Sequence, residues 1–257
     1  MDVIEHCTGK EKLLLTTGDS WTFGDSLNNK DKDYLKTPAG TDYRKKHLWG
    51  RHLADNLGYD WVNLAEPGIS NSVILDYVEQ FKTSELYQKY EIVQVAVVLT
   101  ETGRELQALD WKNHTKELQT SEQKIFNQIK KLVDQKISFL VARNFTYNYA
   151  ETHVPNNIQF VKDNWQTVLL RTQGIDPVEI SGPASGVALW IYENHNPSVI
   201  KNKDYKQFVV DTVESAQPLW DALDFSIYNY QHATRHPTEQ GHEIWACYLF
   251  DNYFQNN

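Results

Sequence analysis

The stretch Leu13-Leu-Leu-Thr-Thr-Gly-Asp-Ser20 joins an apolar run to a small polar turn. Short apolar runs bounded by turn residues are typical of strands that are buried on both faces of a parallel sheet. Gly18 permits a sharp turn of the backbone directly after the run. Ser20 is therefore expected at the edge of a sheet, with its hydroxyl free to project from the strand end. Taken alone, the same tripeptide also fits a serine that caps a helix.

Further apolar runs alternate with amphipathic stretches along the chain. We predict strands at residues 59–64, 91–99 and 136–142, and one more short strand within the irregular stretch 174–200. We predict helices at residues 43–57, 70–87, 118–134, 157–172, 204–223 and 238–254. This alternation predicts an α/β fold, a three-layer α/β/α sandwich around a parallel sheet of about five strands. No repeat or low-complexity tract interrupts the chain, so we expect a single domain over residues 1–257.

Composition excludes several classes of protein. The net charge of −9 argues against a general nucleic-acid binder, which needs clustered basic residues. The short basic run 44–46 is interpreted as a solvated helix face. No apolar run approaches 18 residues and no signal peptide is recognisable, so we expect a soluble protein without a membrane span. Cys7 and Cys247 lack zinc-site spacing, and we predict neither a metal nor an organic cofactor.

Two other predicted strands are followed by polar segments that bear on function. Gly68 follows the strand at 59–64, where its backbone N–H could approach a substrate oxygen, although, taken alone, a loop glycine before a helix cap is the favoured interpretation. Thr100-Glu-Thr-Gly-Arg104 follows the strand at 91–99. Arg104 either neutralises a substrate carboxylate or pairs with Glu101 or Glu105. Since parallel strands end at one edge of a sheet, these segments are expected near Ser20.

A histidine near the C-terminus completes the candidate site. His236 precedes Pro237 in a loop just before the last predicted helix. An imidazole has an ordinary pKa suited to a general base, and from this loop it could reach across the sheet edge to Ser20. A second Gly-Asp-Ser at residues 24–26 no longer abuts the strand. We therefore interpret Ser26 as a decoy and Ser20 as the nucleophile.

Taken in order, these segments resemble the SGNH (GDSL) hydrolase family of esterases and lipases. The resemblance runs from residue 12 to residue 246 and implies a flavodoxin-like sheet. It implies that Ser20 is the nucleophile and His236 the base. It also implies an oxyanion hole formed by the N–H groups of Ser20 and Gly68, with help from Thr102. The same loops offer candidate substrate-binding residues: Asp19, Trp21, Asn71, Glu101 and Arg104.

Two positions depart from the pattern of that family. The third block normally carries Gly-x-Asn, and here Thr102 stands in place of the asparagine. The last block normally has an aspartate three residues before the histidine, and here that position is Ala233. The imidazole of His236 would then be oriented by a distant acid such as Asp224 or Glu101, by a backbone carbonyl, or by no third group.

Two functions follow as expectations. The first is a serine esterase that cleaves an O-acyl ester, with O-acetyl groups on carbohydrate as first choice and a small-molecule or glycan ester as its partner. The second is a catalytically weak binding or structural protein, for example a glycan-contacting module of a viral particle. A homo-oligomer or a larger assembly is compatible with both, as is a cytoplasmic location or a place in a virion. A dinucleotide-binding protein is disfavoured, because the first turn lacks Gly-x-Gly-x-x-Gly.

Overall fold

The computed structural model describes residues 3–25, 27–30, 32–100, 114–144, 154–172, 228–229 and 236–255. Within these residues the strands are β1 (Ile4–His6), β2 (Lys12–Gly18), β3 (Asp60–Asn63), β4 (Ile92–Leu99), β5 (Ile137–Arg143), β6 (Ile158–Phe160), β7 (Tyr228–Asn229) and β8 (His236–Pro237). The helices are α1 (Ser20–Phe23), α2 (Lys32–Leu35), α3 (Pro38–His47), α4 (Trp49–Leu57), α5 (Asn71–Lys82), α6 (Glu85–Gln88), α7 (His114–Leu132), α8 (Trp165–Thr172) and α9 (Glu239–Tyr253), with a 3₁₀ turn at Leu27–Asn29.

The main sheet has six strands in the order β1-β3-β2-β4-β5-β6. Strands β2 to β6 pair in parallel, and β1 pairs with β3 in the antiparallel sense. The five parallel strands follow the order 2-1-3-4-5, which is that of flavodoxin-like folds. The predicted α/β fold with a parallel, flavodoxin-like sheet is thus confirmed. The antiparallel edge strand β1 was not predicted.

Side chains on the two faces of the sheet fill two separate cores. Leu14 and Val98 face a core that also contains Trp21, Trp165 and Trp245 from the surrounding helices. Leu13, Leu15 and their neighbours on β4 face a second core, which helices α5 and α7 cover. Because β2 and β4 are apolar on both faces, they can only lie in the middle of a sheet covered on both sides. The predicted three layers follow directly from this pattern.

Three predicted helices differ from the structure. Residues 43–57 form two helices, since Leu48 is extended with φ −72° and ψ 142° and lies between α3 and α4. The predicted helix at 70–87 ends at Lys82, and a separate short helix begins after Ser84, whose hydroxyl accepts from the N–H of Tyr87. The predicted helix at 157–172 is strand β6 followed by α8. The predictions at 174–200 and 204–223 lie outside the described residues.

The basic run at 44–46 is not wholly a solvated face. Arg44 is fully buried, and its Nε donates to the carbonyl of Leu35 at 2.9 Å. Its guanidinium carbon lies 3.9 Å from the centroid of the Phe23 ring. A planar guanidinium combines stacking with hydrogen bonding, so the interior tolerates this charge. Arg44 thereby fastens α3 to the end of α1. Among the described residues, no helix is long and apolar enough to cross a membrane.

Candidate active site

The turn that carries Ser20 sits at the carboxyl end of the central strand β2. Asp19 is the N-cap of α1, and its Oδ1 accepts from the N–H of Trp21 at 3.0 Å. Ser20 is the first residue of the helix and is 8% exposed. The backbone N–H of a first helical residue has no partner within its helix. The turn therefore presents a hydroxyl and a nearby amide donor at the same strand end.

Gly18 allows this turn to lie close to the neighbouring strand. A Cβ at this position would stand 2.4 Å from Thr22 Oγ1 and 2.9 Å from the carbonyl oxygen of Val98. Both distances are far below van der Waals contact, and the second involves backbone that cannot easily move. A side chain at residue 18 would consequently displace either α1 or β4. The motif therefore needs a glycine here for packing, since the φ of Gly18 is outside the positive range that favours glycine.

The loop that follows β3 is tied to the same edge. The N–H of Glu66 donates to the carbonyl of Gly18 at 3.2 Å. Gly68, two residues further on, has φ 79°, a conformation that favours glycine. Asn71 then bonds the backbone of Thr100 twice, accepting from its N–H at 2.8 Å and donating to its carbonyl at 3.0 Å. These bonds bring the ends of β2, β3 and β4 together around the turn.

His236 lies in β8, which pairs with Asn229 of β7. Cα atoms of β8 and of α1 approach to within 8 Å, so the histidine strand runs beside the helix that Ser20 begins. The side chain of His236 is buried, with 4% of its surface exposed. The structure thus brings the segments of the two predicted catalytic residues to one place. That Ser20 acts as nucleophile and His236 as base stays a prediction.

Glu239, in the first turn of α9, holds the histidine segment against the rest of the site. Its Oε1 accepts from the N–H of Asn28 at 2.9 Å and from the hydroxyl of Tyr43 at 2.7 Å. Burial would raise the pKa of Glu239, but the hydrogen bonds from Tyr43 and the backbone outweigh it and lower that pKa. The carboxylate therefore joins α9 to the turn after α1 and to α3.

Three predicted substrate-binding residues have internal roles in the structure. Trp21 is 4% exposed and packs edge-to-face on Trp165 with ring centroids 5.4 Å apart, so its ring is part of the core. Asp19 and Asn71 are both 1% exposed, and the side chain of each forms hydrogen bonds within the protein. That these three side chains contact substrate stays a prediction. Thr102, Glu101 and Arg104 lie outside the described residues, as do Ser26, Asp224 and Ala233.

One residue of this region was missed by sequence reasoning. Asn144 follows β5 directly, is fully buried, and donates from Nδ2 to Asp19 Oδ1 at 2.8 Å. Its backbone N–H donates to the carbonyl of Leu99 at 3.1 Å. The available signal was its position just after a predicted strand, at the edge where Ser20 was expected. Among the described side chains, no group of three or more His, Cys, Asp or Glu could hold a metal ion.

Comparisons with known proteins yield structural likeness alone. No family model and no curated protein matches the chain. A catalytic variant of an acetylxylan esterase from Geobacillus stearothermophilus is similar, with 13% identity, coverage of 95% of this chain and 94% of that chain, and a TM-score of 0.37. A GDSL-like lipase from Parabacteroides merdae is similar with 10% identity, 94% and 95% coverage, and a TM-score of 0.39. At these values the likeness carries no argument about the site, whose assignment rests on its own residues.

Proposed function

We propose that this protein is a serine esterase in which Ser20 and His236 form the catalytic pair. The observation that carries the proposal is the juxtaposition of α1 and β8 at the carboxyl end of β2, with Cα atoms within 8 Å. Ligand chemistry in parallel α/β sheets gathers at this edge, where the strand order reverses. The bonds from Glu66 to Gly18 and from Asn71 to Thr100 support the proposal, because they preorganise the same edge.

The proposed reaction has two halves. Ser20 Oγ attacks the ester carbonyl while His236 accepts the hydroxyl proton, and the tetrahedral oxyanion is held by the N–H groups of Ser20 and Gly68. The C–O bond to the alcohol then breaks, and His236 returns the proton to the leaving oxygen. Water, deprotonated by His236, hydrolyses the acyl-serine and regenerates Ser20. Thr102 is proposed as a third oxyanion donor, as the sequence resemblance implies.

The proposed substrate is a small O-acyl ester, with O-acetyl groups on carbohydrate as the first class to test. Ser20 is only 8% exposed, and Trp21 and Phe23 beside it are buried. A short acyl group can reach such a hydroxyl with less rearrangement than a long chain needs. The carbohydrate part of this proposal rests on the sequence resemblance alone.

The experiment that tests this function compares p-nitrophenyl acetate hydrolysis by the unaltered protein, Ser20→Ala and His236→Ala. Ser26→Ala is the matched control, because Ser26 occupies the second Gly-Asp-Ser of the sequence. We expect the first two substitutions to lower turnover by at least about 10³-fold and the control to leave it within twofold. Equal turnover by the unaltered protein and Ser20→Ala would refute the esterase.

The alternative is a binding or structural module with weak chemistry. It is favoured by two features of the sequence, Thr102 in the third block and Ala233 in the last. Losing one oxyanion donor costs on the order of 10²–10³ in rate, so such a chain could retain the fold with little turnover. Direct binding of acetylated oligosaccharides, measured by calorimetry without turnover of any acetyl ester, would favour this alternative. A homo-oligomer or a larger assembly would fit it as well.

A further inference from the structure

Asn144 is a buried amide, and within the described residues its side chain makes a hydrogen bond only to the residue before the nucleophile. Its Nδ2 lies 2.8 Å from Asp19 Oδ1, and the residue is fully buried at the end of β5. Because Asp19 offers acceptor oxygens, the Asn144 side chain must point its NH₂ group toward it, which fixes the orientation of the amide. In the described part of the chain, Asn144 Oδ1 has no hydrogen-bond partner.

That unsatisfied oxygen bears on the role of the residue. Burying a polar atom without a hydrogen bond is unfavourable, and such atoms in folded proteins call for an explanation. If residue 144 only filled space, an apolar side chain would fill it without burying an unsatisfied polar atom. The amide is therefore best explained by the bond that it makes to Asp19.

The path of that bond explains what it controls. Strand β4 lies between β2 and β5, so the two outer strands stand roughly 10 Å apart at the usual spacing. Asn144 spans this gap above the end of β4, where its own N–H is anchored to the carbonyl of Leu99. Asp19 Oδ1 receives both the Asn144 amide and the N–H of Trp21. The oxygen that caps α1 is thus held in place from β5.

We propose that Asn144 is a positioning residue that sets the placement of Ser20 through Asp19. The proposal rests on the proposed esterase function, since it assigns a catalytic consequence to a bond between two residues that do not react. In this proposal, Asn144 does not contact the substrate and takes no part in proton transfer. It fixes the cap oxygen, the cap oxygen fixes the first turn of α1, and that turn fixes the Ser20 hydroxyl and N–H.

The test removes the donor of the bond. Asn144→Asp keeps the shape of the side chain but replaces the donor with a second carboxylate beside Asp19. Asn144→Ala removes the donor without adding charge, and it covers the case in which Asn144→Asp fails to fold. Asn157→Asp, a part-buried asparagine at the opposite end of β5, is the matched control.

Two readouts are taken on each variant: kcat and KM for p-nitrophenyl acetate, and hydrogen exchange of the Trp21 amide in protein labelled with ¹⁵N-tryptophan. We expect Asn144→Asp to lower kcat by about 10²-fold with a smaller change in KM, as for a displaced reacting group. We expect the Trp21 amide to exchange at least tenfold faster in that variant. Asn157→Asp should change neither readout.

The outcomes separate this proposal from the function on which it rests. Unchanged Trp21 exchange in Asn144→Asp and Asn144→Ala overturns the positioning role, whatever the kinetics show. Faster exchange with an unchanged kcat also overturns it, because the turn would then move without consequence. If the unaltered protein has no turnover that depends on Ser20, the esterase function fails and the catalytic role of Asn144 fails with it. Faster exchange of the Trp21 amide together with a lowered kcat in the Asn144 variants, with neither change in Asn157→Asp, supports the proposal.

Discussion

At the scale of single residues, the size of Gly18 decides where Ser20 stands. A methyl group there would meet Thr22 Oγ1 and the carbonyl of Val98 at distances that real Cβ atoms do not show. We expect Gly18→Ala to lower esterase turnover by about 10–10²-fold, since α1 must move relative to β4. We expect it to cost about 1–3 kcal/mol of unfolding free energy. Both are measured on one preparation, by p-nitrophenyl acetate hydrolysis and urea unfolding.

Gly58→Ala provides the matched control for this substitution. Gly58 ends α4 with φ 67°, and apart from the adjoining chain no described atom lies within 4 Å of the position its Cβ would take. The alanine should therefore cost about 1 kcal/mol through backbone strain alone and leave turnover unchanged. Full activity in Gly18→Ala would show that this glycine does not control the nucleophile.

The pKa of His242 is shifted in a way that was not predicted from the sequence. Burial lowers the pKa of His242 to about 3, with smaller contributions from His52, His236 and His47. Its Nδ1 accepts from the N–H of Trp49 at 3.2 Å, so the neutral ring holds the start of α4 against α9. The unfolded chain takes up this proton near pH 6.5, whereas the folded chain does so only near pH 3.

The consequence is a loss of stability as the pH falls between these two values. The unfolded state binds more protons in that window, so the unfolding free energy rises with pH and falls on acidification. From pH 7 to pH 5, this residue alone should remove about 2 kcal/mol. His242→Asn, which keeps an acceptor but cannot titrate, should show a correspondingly smaller pH dependence in urea unfolding. Identical dependence in both proteins would contradict this account of His242.

At the scale of elements, Glu239 joins α9 to the turn after α1 and to α3. Its carboxylate binds Asn28 and Tyr43, and it lies three residues after His236. We expect Glu239→Ala to lower turnover by about tenfold because β8 loses its anchor, and to cost about 1–2 kcal/mol of unfolding free energy. Glu239→Gln keeps the acceptor oxygen and should lie much closer to the unaltered protein.

The charge on Glu239 also makes the unfolding free energy depend on pH, and the direction of this dependence is known. Its folded pKa is lowered, so its contribution to stability is present above the unfolded value of about 4.3 and is lost as the pH falls through the folded value. Urea unfolding at pH 7 and pH 3 should therefore show a larger acid loss for the unaltered protein than for Glu239→Gln. Equal losses would mean that the carboxylate contributes nothing through its charge.

The elements that could be predicted from the sequence are those with a strong hydrophobic pattern. Strands β2, β4 and β5 carry apolar residues on both faces, a signature that few other structures share. The three-residue strands β1 and β6 are too short to show any periodicity. Leu48 is buried and apolar, so the spacing of residues 43–57 could not reveal that its backbone is extended and divides the helix.

At the scale of the whole molecule, the strand order places the candidate site. The chain leaves β2 for β3 on one side of the sheet and later returns to β4 on the other side. Crevices form where the connections diverge in this way, at the carboxyl ends of the strands. The ends of β2 and β4 meet at this point, where Gly18 pairs with Val98. The order of motifs along the sequence thus translates into proximity in the fold.

The same view explains which site residues could be predicted. Ser20, Gly68 and His236 belong to sequence motifs whose order implies a common edge. For Trp21 the sequence left two interpretations open, because an aromatic residue after a strand fits a core position as well as a binding surface, and the structure packs its ring in the core. Asn144 was missed, because one asparagine after a strand has no pattern, and its role depends on a contact with Asp19 across 125 residues of sequence.

Labelling with a fluorophosphonate, followed by intact mass and peptide mapping, tests directly whether Ser20 and His236 form a catalytic pair. We predict one adduct per chain, located on Ser20, with labelling slowed strongly in His236→Ala and unchanged in Ser26→Ala. An adduct on Ser26, or an unaltered protein that stays unlabelled while folded, would contradict the assignment of Ser20 and His236 as a catalytic pair.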